Sequence, residues 1–337
     1  MLMTAFILGG LVLLFFGGDL LVSGAINIAK RLGMSELLIG ITLVGFGTST
    51  PELMTSILAT FEGQPGIAVG NVVGSNIANI ALILGVAALI YPLACDQKAF
   101  RRDGTFMVLA TLLYLGVCLL GAMTLWMGLV FVTALITYIV TCIVLELREN
   151  KAALLGVETA GGSIIDSGAV QSQPETEQPQ PPQKHLAFSF GQFVFGLILT
   201  FIGAKLLVDG SIDLARLFGI SETIIGLTIV AIGTSMPELV ASAMAAFRKN
   251  TDIAFGNIIG SNIYNILGIL GITAILHPFA VPEQIMELDI WIMLGITALL
   301  MIFARWGWVI SRWKGGVFLS LYAAYLLLLV LIATKAV

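Results

Sequence analysis

Residues 47–52 read Gly-Thr-Ser-Thr-Pro-Glu, and residues 233–238 read Gly-Thr-Ser-Met-Pro-Glu. A second pair of matching stretches follows these two. Residues 70–79 read Gly-Asn-Val-Val-Gly-Ser-Asn-Ile-Ala-Asn, and residues 256–265 read Gly-Asn-Ile-Ile-Gly-Ser-Asn-Ile-Tyr-Asn. Both pairs are separated by the same offset of 186 positions. Two copies of one polar site are therefore embedded in the chain.

The similarity extends well beyond these motifs. Residues 17–92 align with residues 203–278 without a gap, and 38 of the 76 positions are identical. Between the copies, residues 147–187 include a polar, Pro- and Gln-rich stretch of a composition that cannot bury a core. We therefore expect a first repeat at 1–146, a flexible linker at 147–187 and a second repeat at 188–337.

The composition places both repeats in a membrane. The 337 residues are 58% hydrophobic and 11% charged, with a mean hydropathy of +1.03, so a soluble domain could not cover itself with polar surface. A helix needs ~20 apolar residues to cross a ~30 Å hydrocarbon core. We expect an all-α polytopic membrane protein with ten transmembrane helices. The apolar runs lie roughly at 4–28, 37–60, 68–92, 104–121, 125–146, 188–212, 223–246, 254–277, 286–304 and 315–333.

The basic residues predict the topology, because Lys and Arg collect in cytoplasmic loops. If the linker is cytoplasmic, thirteen of the sixteen basic residues lie on that side, while the loop around Glu283, Glu287 and Asp289 is external. Both termini then face away from the cytoplasm. Five spans per copy is an odd number, so the two five-helix repeats are expected to be inverted, an arrangement typical of transporters. No targeting extension precedes the first span, which favours a prokaryotic inner membrane.

Two glutamates are the strongest functional candidates. Glu52 and Glu238 lie at equivalent places deep within apolar runs. An uncompensated carboxylate there costs at least ~2.5–3.5 kcal/mol, and no Lys or Arg is available in the second, third, seventh or eighth span. The countercharge is therefore a bound cation or a proton on the glutamate.

The neighbouring residues suit a hard cation. Pro51 lacks an N–H and its ring clashes with the carbonyl of Gly47, so we expect a kinked helix with freed carbonyls. Hydroxyl, amide and carbonyl oxygens are ligands for Na⁺ and Ca²⁺, whereas His185 and His277 lie outside the polar core. The candidate ligands beside the glutamates are Thr48, Ser49, Asn71, Ser75 and Asn79, and their counterparts Thr234, Ser235, Asn257, Ser261 and Asn265.

Several features have simpler interpretations. The asparagines could act as hydrogen-bonding contacts between helices, and the pairs Gly70/Gly74 and Gly256/Gly260 predict close helix approach. We expect Lys205 and Asp209 to form an ion pair one helical turn apart. The three cysteines show no CxxC spacing, so they indicate packing residues rather than a disulfide or metal site.

The doubled motifs, the ten spans and the central loop together resemble the cation/calcium antiporter superfamily, and within it the sodium/calcium exchanger branch. The resemblance implies a Ca²⁺ site formed by Glu52, Glu238 and the backbone carbonyls of Thr48 and Thr234. It implies flanking Na⁺ sites that use those glutamates with Thr48, Ser49, Ser75, Thr234, Ser235 and Ser261, and it places Asn79 and Asn265 at the centre.

The resemblance also bears on mechanism and partners. Several superfamily members have an aspartate where this chain has Asn265, and its absence disfavours potassium dependence. The resemblance favours the first and sixth spans as the moving element, with glycines at 17, 18, 24, 203 and 210. Transported Ca²⁺ and Na⁺ are the expected ligands, with no further cofactor and no obligate protein partner in a monomer.

Other functions remain as alternatives. A proton/calcium antiporter, or less readily a cation channel, could use the same oxygen-lined architecture. An intramembrane enzyme is disfavoured because neither His185 nor His277 lies in the polar core and no nucleophile–base pair appears in the spans. A net charge of −4 argues against nucleic-acid binding.

Overall fold

The computed structural model describes residues 2–61, 63, 65–161, 185–217 and 231–335. The chain is predominantly helical, with only four two-residue strands in this part. The helices, labelled in chain order, are α1 (Leu2–Leu32), α2 (Glu36–Thr48), α3 (Thr50–Phe61), α4 (Pro65–Ile90), α5 (Gln97–Leu120), α6 (Leu125–Gly161), α7 (Leu186–Leu217), α8 (Ala231–Thr234), α9 (Met236–Phe247), α10 (Thr251–Leu276), α11 (Ile285–Arg305) and α12 (Arg312–Lys335).

Membrane-spanning helices dominate the fold, as the composition predicts. In the part of the chain that the structure describes, eight helices are long and apolar enough to cross a membrane, and the bent pair α2 and α3 makes a ninth. These nine coincide with nine of the ten predicted spans. The remaining span was predicted at 223–246; its first part lies outside the described residues, and its described end consists of α8 and α9. The protein is an integral multi-pass membrane protein.

Equivalent helix breaks interrupt the two motif helices. α2 and α3 meet at an angle of 41° around Ser49, whose backbone has φ −85° and ψ 7°. Ser235 has nearly the same conformation, with φ −90° and ψ 11°, between α8 and α9. In each copy a proline follows two residues later and cannot donate to the carbonyl four residues before it. The kink predicted near residues 47–49 is confirmed.

α1 and α7, the equivalent first helices of the two repeats, pack against each other in antiparallel directions. A Cβ atom placed on Gly10 would lie 2.7 Å from the backbone N of Leu207, and one on Gly24 would lie 2.6 Å from that of Phe193. Partner numbers fall along α7 as numbers rise along α1. Because the contacts reach backbone atoms, only glycine allows this approach.

Short strands connect the loops of the two repeats. β1 (Leu93–Ala94) pairs antiparallel with β4 (Val309–Ile310), and β2 (Ala122–Met123) pairs antiparallel with β3 (Phe279–Ala280). Each pair joins a loop of the first repeat to a loop of the second. The loops that pair are those that the basic residues assign to the same side of the membrane.

α6 is longer than the sequence predicts, because the fifth span was expected to end at residue 146. It continues to Gly161, so residues 147–161 of the predicted linker are helical, whereas residues 162–184 lie outside the described part. The extension is rich in Leu, Ala, Glu, Lys and Arg, which have high helix propensity and prolong an existing helix without a new nucleation cost.

The small-residue pair of the second repeat packs closely against α2. A Cβ atom on Gly256 would lie 2.6 Å from the carbonyl oxygen of Leu37, and one on Gly260 would lie 2.5 Å from that of Ile41. Close helix approach is confirmed there. No described atom comes within 4 Å of the Cβ positions of Gly70 and Gly74. The counterparts of Leu37 and Ile41 are residues 223 and 227, which lie outside the described residues, so close approach at this pair stays a prediction.

The cysteines fit the predicted packing role. Cys95, Cys118 and Cys142 are all free and buried. Burial raises the pKa of the Cys95 thiol, which lies in the loop between α4 and α5, to about 12.

Candidate cation-binding site

Two buried carboxylates occupy the helix breaks. Glu52 lies in the first turn of α3 and Glu238 in the first turn of α9, where the N-terminal end of a helix favours negative charge. Glu52 is fully buried and Glu238 is 2% exposed. The two carboxylates lie close enough for their charges to interact. This place therefore concentrates negative charge inside the membrane-spanning core.

The repeats meet at these carboxylates. Ser49 Oγ of the first repeat donates a 2.9 Å hydrogen bond to Glu238 Oε1 of the second. The second oxygen of Glu238 and both carboxylate oxygens of Glu52 are buried without a partner among the described residues. Ser235 lies beside Glu52, but its Oγ also lacks a hydrogen-bond partner there. Oxygen atoms of both repeats thus face one centre that contains no described Lys or Arg.

Two asparagines hold the glutamate helices in place. Asn71 Nδ2 donates 3.1 Å hydrogen bonds to the Glu52 carbonyl oxygen and to Ser56 Oγ. The prediction that the polar stripe of α4 faces Glu52 is confirmed at this residue.

The second repeat contains the equivalent network. Asn257 Nδ2 donates to the Glu238 carbonyl at 3.3 Å and to Ser242 Oγ at 2.9 Å. In both copies, therefore, the asparagine acts in part as a hydrogen-bonding contact between helices, as the simpler interpretation predicts. Their amide carbonyl oxygens remain candidate ligands.

Asn79 and Asn265 have a different environment. Each is 1% exposed, and neither amide group has a hydrogen-bond partner among the described residues. Asn79 begins a π-helical segment of α4 (Asn79–Ile83), and Asn265 lies in the corresponding segment of α10 (Tyr264–Leu270). π-Helical turns inside α-helices frequently mark functional sites. Two unpaired buried amides in equivalent turns indicate ligand positions better than packing positions.

The predicted hydroxyl ligands lie beside this centre, and all of them are buried except the half-buried Thr234. Thr48 Oγ1 donates to the Val44 carbonyl at 3.0 Å and lies 3.3 Å from Asn257 Oδ1 across the repeat boundary. Ser261 Oγ is buried without a described partner. Ser75 and Thr234 line one cavity of about 520 Å³ beside α4.

The donor set suits hard cations. It contains carboxylate, hydroxyl and amide oxygens, and no group of three His, Cys, Asp or Glu side chains occurs in the described part of the chain. Oxygen ligands of this kind bind Na⁺ and Ca²⁺, whereas zinc and copper favour imidazole and thiolate.

The structure also contains charged contacts that the sequence interpretation missed or misassigned. Lys205 and Asp209 are both exposed, and no ion pair links them in the described part, so that prediction is wrong. A Lys placed four residues before an acid is the less favourable order along a helix. Asp19 instead pairs with Arg248, which also contacts Ser23. No pattern in the sequence connected residues 19 and 248.

A comparison with known proteins gives the family. The profile described as sodium/calcium exchanger protein matches residues 2–144 and 188–331. The chain belongs to the sodium/calcium exchanger family. The sodium/calcium exchanger MaX1 of Methanosarcina acetivorans is 38% identical over 95% of this chain and 96% of its own length. The inner membrane protein YrbG of Escherichia coli is 33% identical over 91% and 89% of the two chains.

Solved exchanger structures share the fold. The sodium–calcium exchanger NCX_Mj, soaked with Na⁺ and Sr²⁺, superposes with a TM-score of 0.77 at 31% identity, covering 96% of this chain and 97% of that one. The sequence-based resemblance to prokaryotic sodium/calcium exchangers is confirmed. Members of this exchanger family are cation transporters rather than enzymes, in line with the predicted class.

Proposed function

We propose that this protein is a secondary active antiporter that exchanges Na⁺ for Ca²⁺ by alternating access. The observation that carries the proposal is the group of buried carboxylate oxygens of Glu52 and Glu238, three of which have no described partner. Buried charge without a partner is costly unless a cation completes the site. The proposed ligands are Glu52, Glu238, Thr48, Thr234, Ser49, Ser235, Ser75, Ser261, Asn79 and Asn265, with Asn71 and Asn257 bracing the glutamate helices.

Competition for these oxygens explains the exchange. Two carboxylates neutralise one Ca²⁺, and the same oxygens can instead bind several Na⁺. Ca²⁺ and Na⁺ therefore cannot occupy the site at the same time. An empty site with two negative charges is poor at crossing between inward- and outward-facing states because its burial is uncompensated. A full site can cross, so movement of one ion is tied to return of the other.

α1 and α7 are the proposed moving pair. They contact each other through glycines, which leave a smooth surface with few interlocking side chains. Their antiparallel packing also supports the proposal that the repeats at 1–146 and 188–337 are inverted, with the site at their junction near the midplane.

Topology and location complete the proposal. The linker and the loops rich in Lys and Arg face the cytoplasm, both termini face the other side, and the protein functions as a monomer in a prokaryotic inner membrane. The similarity to YrbG, which is named an inner membrane protein, supports this location.

The test is ⁴⁵Ca²⁺ uptake by proteoliposomes loaded with Na⁺, K⁺ or acid. Uptake from Na⁺-loaded vesicles alone is the expected result. Uptake driven by an acid interior would assign the protein to proton/calcium antiport, and uptake with every load would identify a channel, because a channel needs no counter-ion gradient.

A further inference from the structure

An ion pair ties α1 to the end of α9. The guanidinium of Arg248 donates to Asp19 and also to Ser23 Oγ. Asp19 and Ser23 are four residues apart, so both lie on one face of α1. The backbone N–H of Arg248 bonds to carbonyls in the last turn of α9. One side chain therefore joins a turn of α1 to the helix that carries Glu238.

The two helices also pack tightly beside this pair. A Cβ atom on Gly18 would lie 2.4 Å from Cγ1 of Val240 and 2.9 Å from Cγ of Met244. α1, one of the two proposed moving helices, thus lies directly against the glutamate helix. A shift of α1 by about one helical turn, ~5.4 Å, would draw Asp19 away from Arg248, because hydrogen bonds span only about 3 Å.

Asp19 depends on Arg248 for its countercharge. The two side chains are 38% and 30% exposed, and no other Lys or Arg pairs with Asp19 in the described part of the chain. Asp19 lies near the middle of α1 (Leu2–Leu32), within a membrane span, where an unpaired carboxylate is costly. Breaking the pair is therefore unfavourable, which stabilises the conformation in which α1 lies against α9.

The sequence contains the same combination of charges a second time, with the signs exchanged. By the repeat offset, Lys205 occupies the position of Asp19, and Glu62 occupies the position of Arg248. Glu62 lies outside the described residues, and Lys205 forms no ion pair within them. The two copies share opposite charges at these positions but not the residue at either one. This pattern favours a role for the pair over a role for each residue alone.

We propose that Asp19 and Arg248 form a latch, which holds α1 against α9 and must open before the cation site can face the side where Arg248 lies. This inference rests on the proposed alternating-access function, in which α1 moves. The basic residues assign the Arg248 loop to the cytoplasm, so the latch favours the outward-facing conformation. Neither residue hydrogen-bonds to Glu52 or Glu238 in the described part, so the pair acts by positioning α1 and not by binding the ion.

Asp19→Asn and Arg248→Gln open the latch, and Lys249→Gln is their control. Lys249 is exposed, and its Nζ lies over the Tyr91 ring at 5.9 Å, so its substitution removes a positive charge from the same loop. The readout is the half-saturating Ca²⁺ concentration on each side, measured in Na⁺-loaded inside-out and right-side-out membrane vesicles. The ratio of the two values follows the populations of the two conformations.

We expect this ratio to shift about tenfold towards the cytoplasmic side in both latch variants and to stay within about twofold of wild type in Lys249→Gln. A pair that only stabilises the fold would lower the maximal rate without changing the ratio. An unchanged ratio in the latch variants, or an equal shift in the control, would overturn the latch.

Two further variants keep charge at the latch. Asp19→Lys combined with Arg248→Glu exchanges the signs as positions 205 and 62 do, and it should return the ratio to within about twofold of wild type. A ratio that stays at the value of the single variants would overturn the latch. If those single variants fail to fold, Arg248→Lys keeps the charge but loses the planar fork. It should shift the ratio about threefold, and an unchanged ratio there would also overturn the latch.

Thiol labelling tests the latch without transport. Met244→Cys places a thiol at the contact between α1 and α9, whereas the three native cysteines are buried. In purified cation-free protein, a water-soluble maleimide should label this thiol about tenfold faster when Asp19→Asn is added, and at an unchanged rate when Lys249→Gln is added. Equal labelling with and without Asp19→Asn would overturn the latch. If wild type shows no Na⁺-driven ⁴⁵Ca²⁺ movement, the exchange function fails, and labelling still decides whether the pair holds α1 against α9.

Discussion

Ser49 Oγ and Glu238 Oε1, 189 positions apart in the chain, are joined by a 2.9 Å hydrogen bond. The helix break of the first repeat thereby reaches the carboxylate of the second. The equivalent bond from Ser235 to Glu52 is absent among the described residues, although the two side chains are neighbours. The site is thus built from symmetric parts that are used asymmetrically in this conformation.

That asymmetry predicts different effects of two matched substitutions. Ser49→Ala should destabilise the cation-free protein by about 1.5 kcal/mol, because it removes a hydrogen bond to a charged group. Ser235→Ala should leave cation-free stability unchanged, because its hydroxyl is unpartnered, and both should weaken Na⁺ binding. Thermal unfolding with and without Na⁺ measures both effects, and equal destabilisation by the two substitutions would contradict the asymmetry.

The glutamate pair should limit stability when no cation is bound. Glu52→Gln removes the repulsion between the two carboxylates, so we expect a higher unfolding temperature than wild type in cation-free buffer. Wild type should gain about 2.7 kcal/mol at a Ca²⁺ concentration a hundred times the dissociation constant, and Glu52→Gln should gain almost none. A variant that Ca²⁺ still stabilises as strongly as wild type would remove Glu52 from the site.

The asparagines should separate into bracing and ligand residues. Asn257→Ala breaks hydrogen bonds to Ser242 and to the Glu238 backbone, so we expect a loss of about 1–3 kcal/mol in cation-free stability. Asn265→Ala removes an amide without a described partner, so cation-free stability should hold while Ca²⁺ affinity falls. Denaturation curves and ⁴⁵Ca²⁺ binding measure the two quantities. A larger stability loss in Asn265→Ala than in Asn257→Ala would refute this division.

The glycine contact between α1 and α7 should control the rate of exchange. A Cβ on Gly17 would lie 2.7 Å from Thr200 Oγ1 and 2.8 Å from Thr200 N, whereas one on Gly9 of the same helix meets no atom within 4 Å. We expect Gly17→Ala to slow exchange about tenfold, which corresponds to ~1.4 kcal/mol, with Ca²⁺ binding nearly unchanged. Gly9→Ala is the control. Wild-type rates in Gly17→Ala would show that this contact does not move during transport.

Much of this architecture is predictable because the sequence repeats. A proline two residues after Ser49 and after Ser235 breaks both helices in the same way, since the missing N–H acts locally. Asn71 and Asn257 form equivalent hydrogen bonds because the glutamate and the serine that accept them are also repeated. Local backbone geometry and contacts between repeated residues can therefore be predicted from a single sequence.

Features that depend on distant packing could not be predicted. Asp19 finds Arg248 because the helix carrying Asp19 packs beside α9, which no periodicity indicates. Asp289 was assigned to an acidic external loop, but it is 3% exposed in the first turn of α11, where Tyr325 OH donates to its Oδ1 at 3.1 Å.

The most direct measurement of the central claim is the initial rate of Na⁺-driven ⁴⁵Ca²⁺ uptake in wild type, Glu52→Gln, Glu238→Gln and the exposed control Glu287→Gln. We predict that the control matches wild type and that each buried substitution lowers the rate at least about a hundredfold, a loss of ~2.7 kcal/mol. Retention of wild-type uptake by either Glu52→Gln or Glu238→Gln would contradict a shared site in which both carboxylates bind the transported ion.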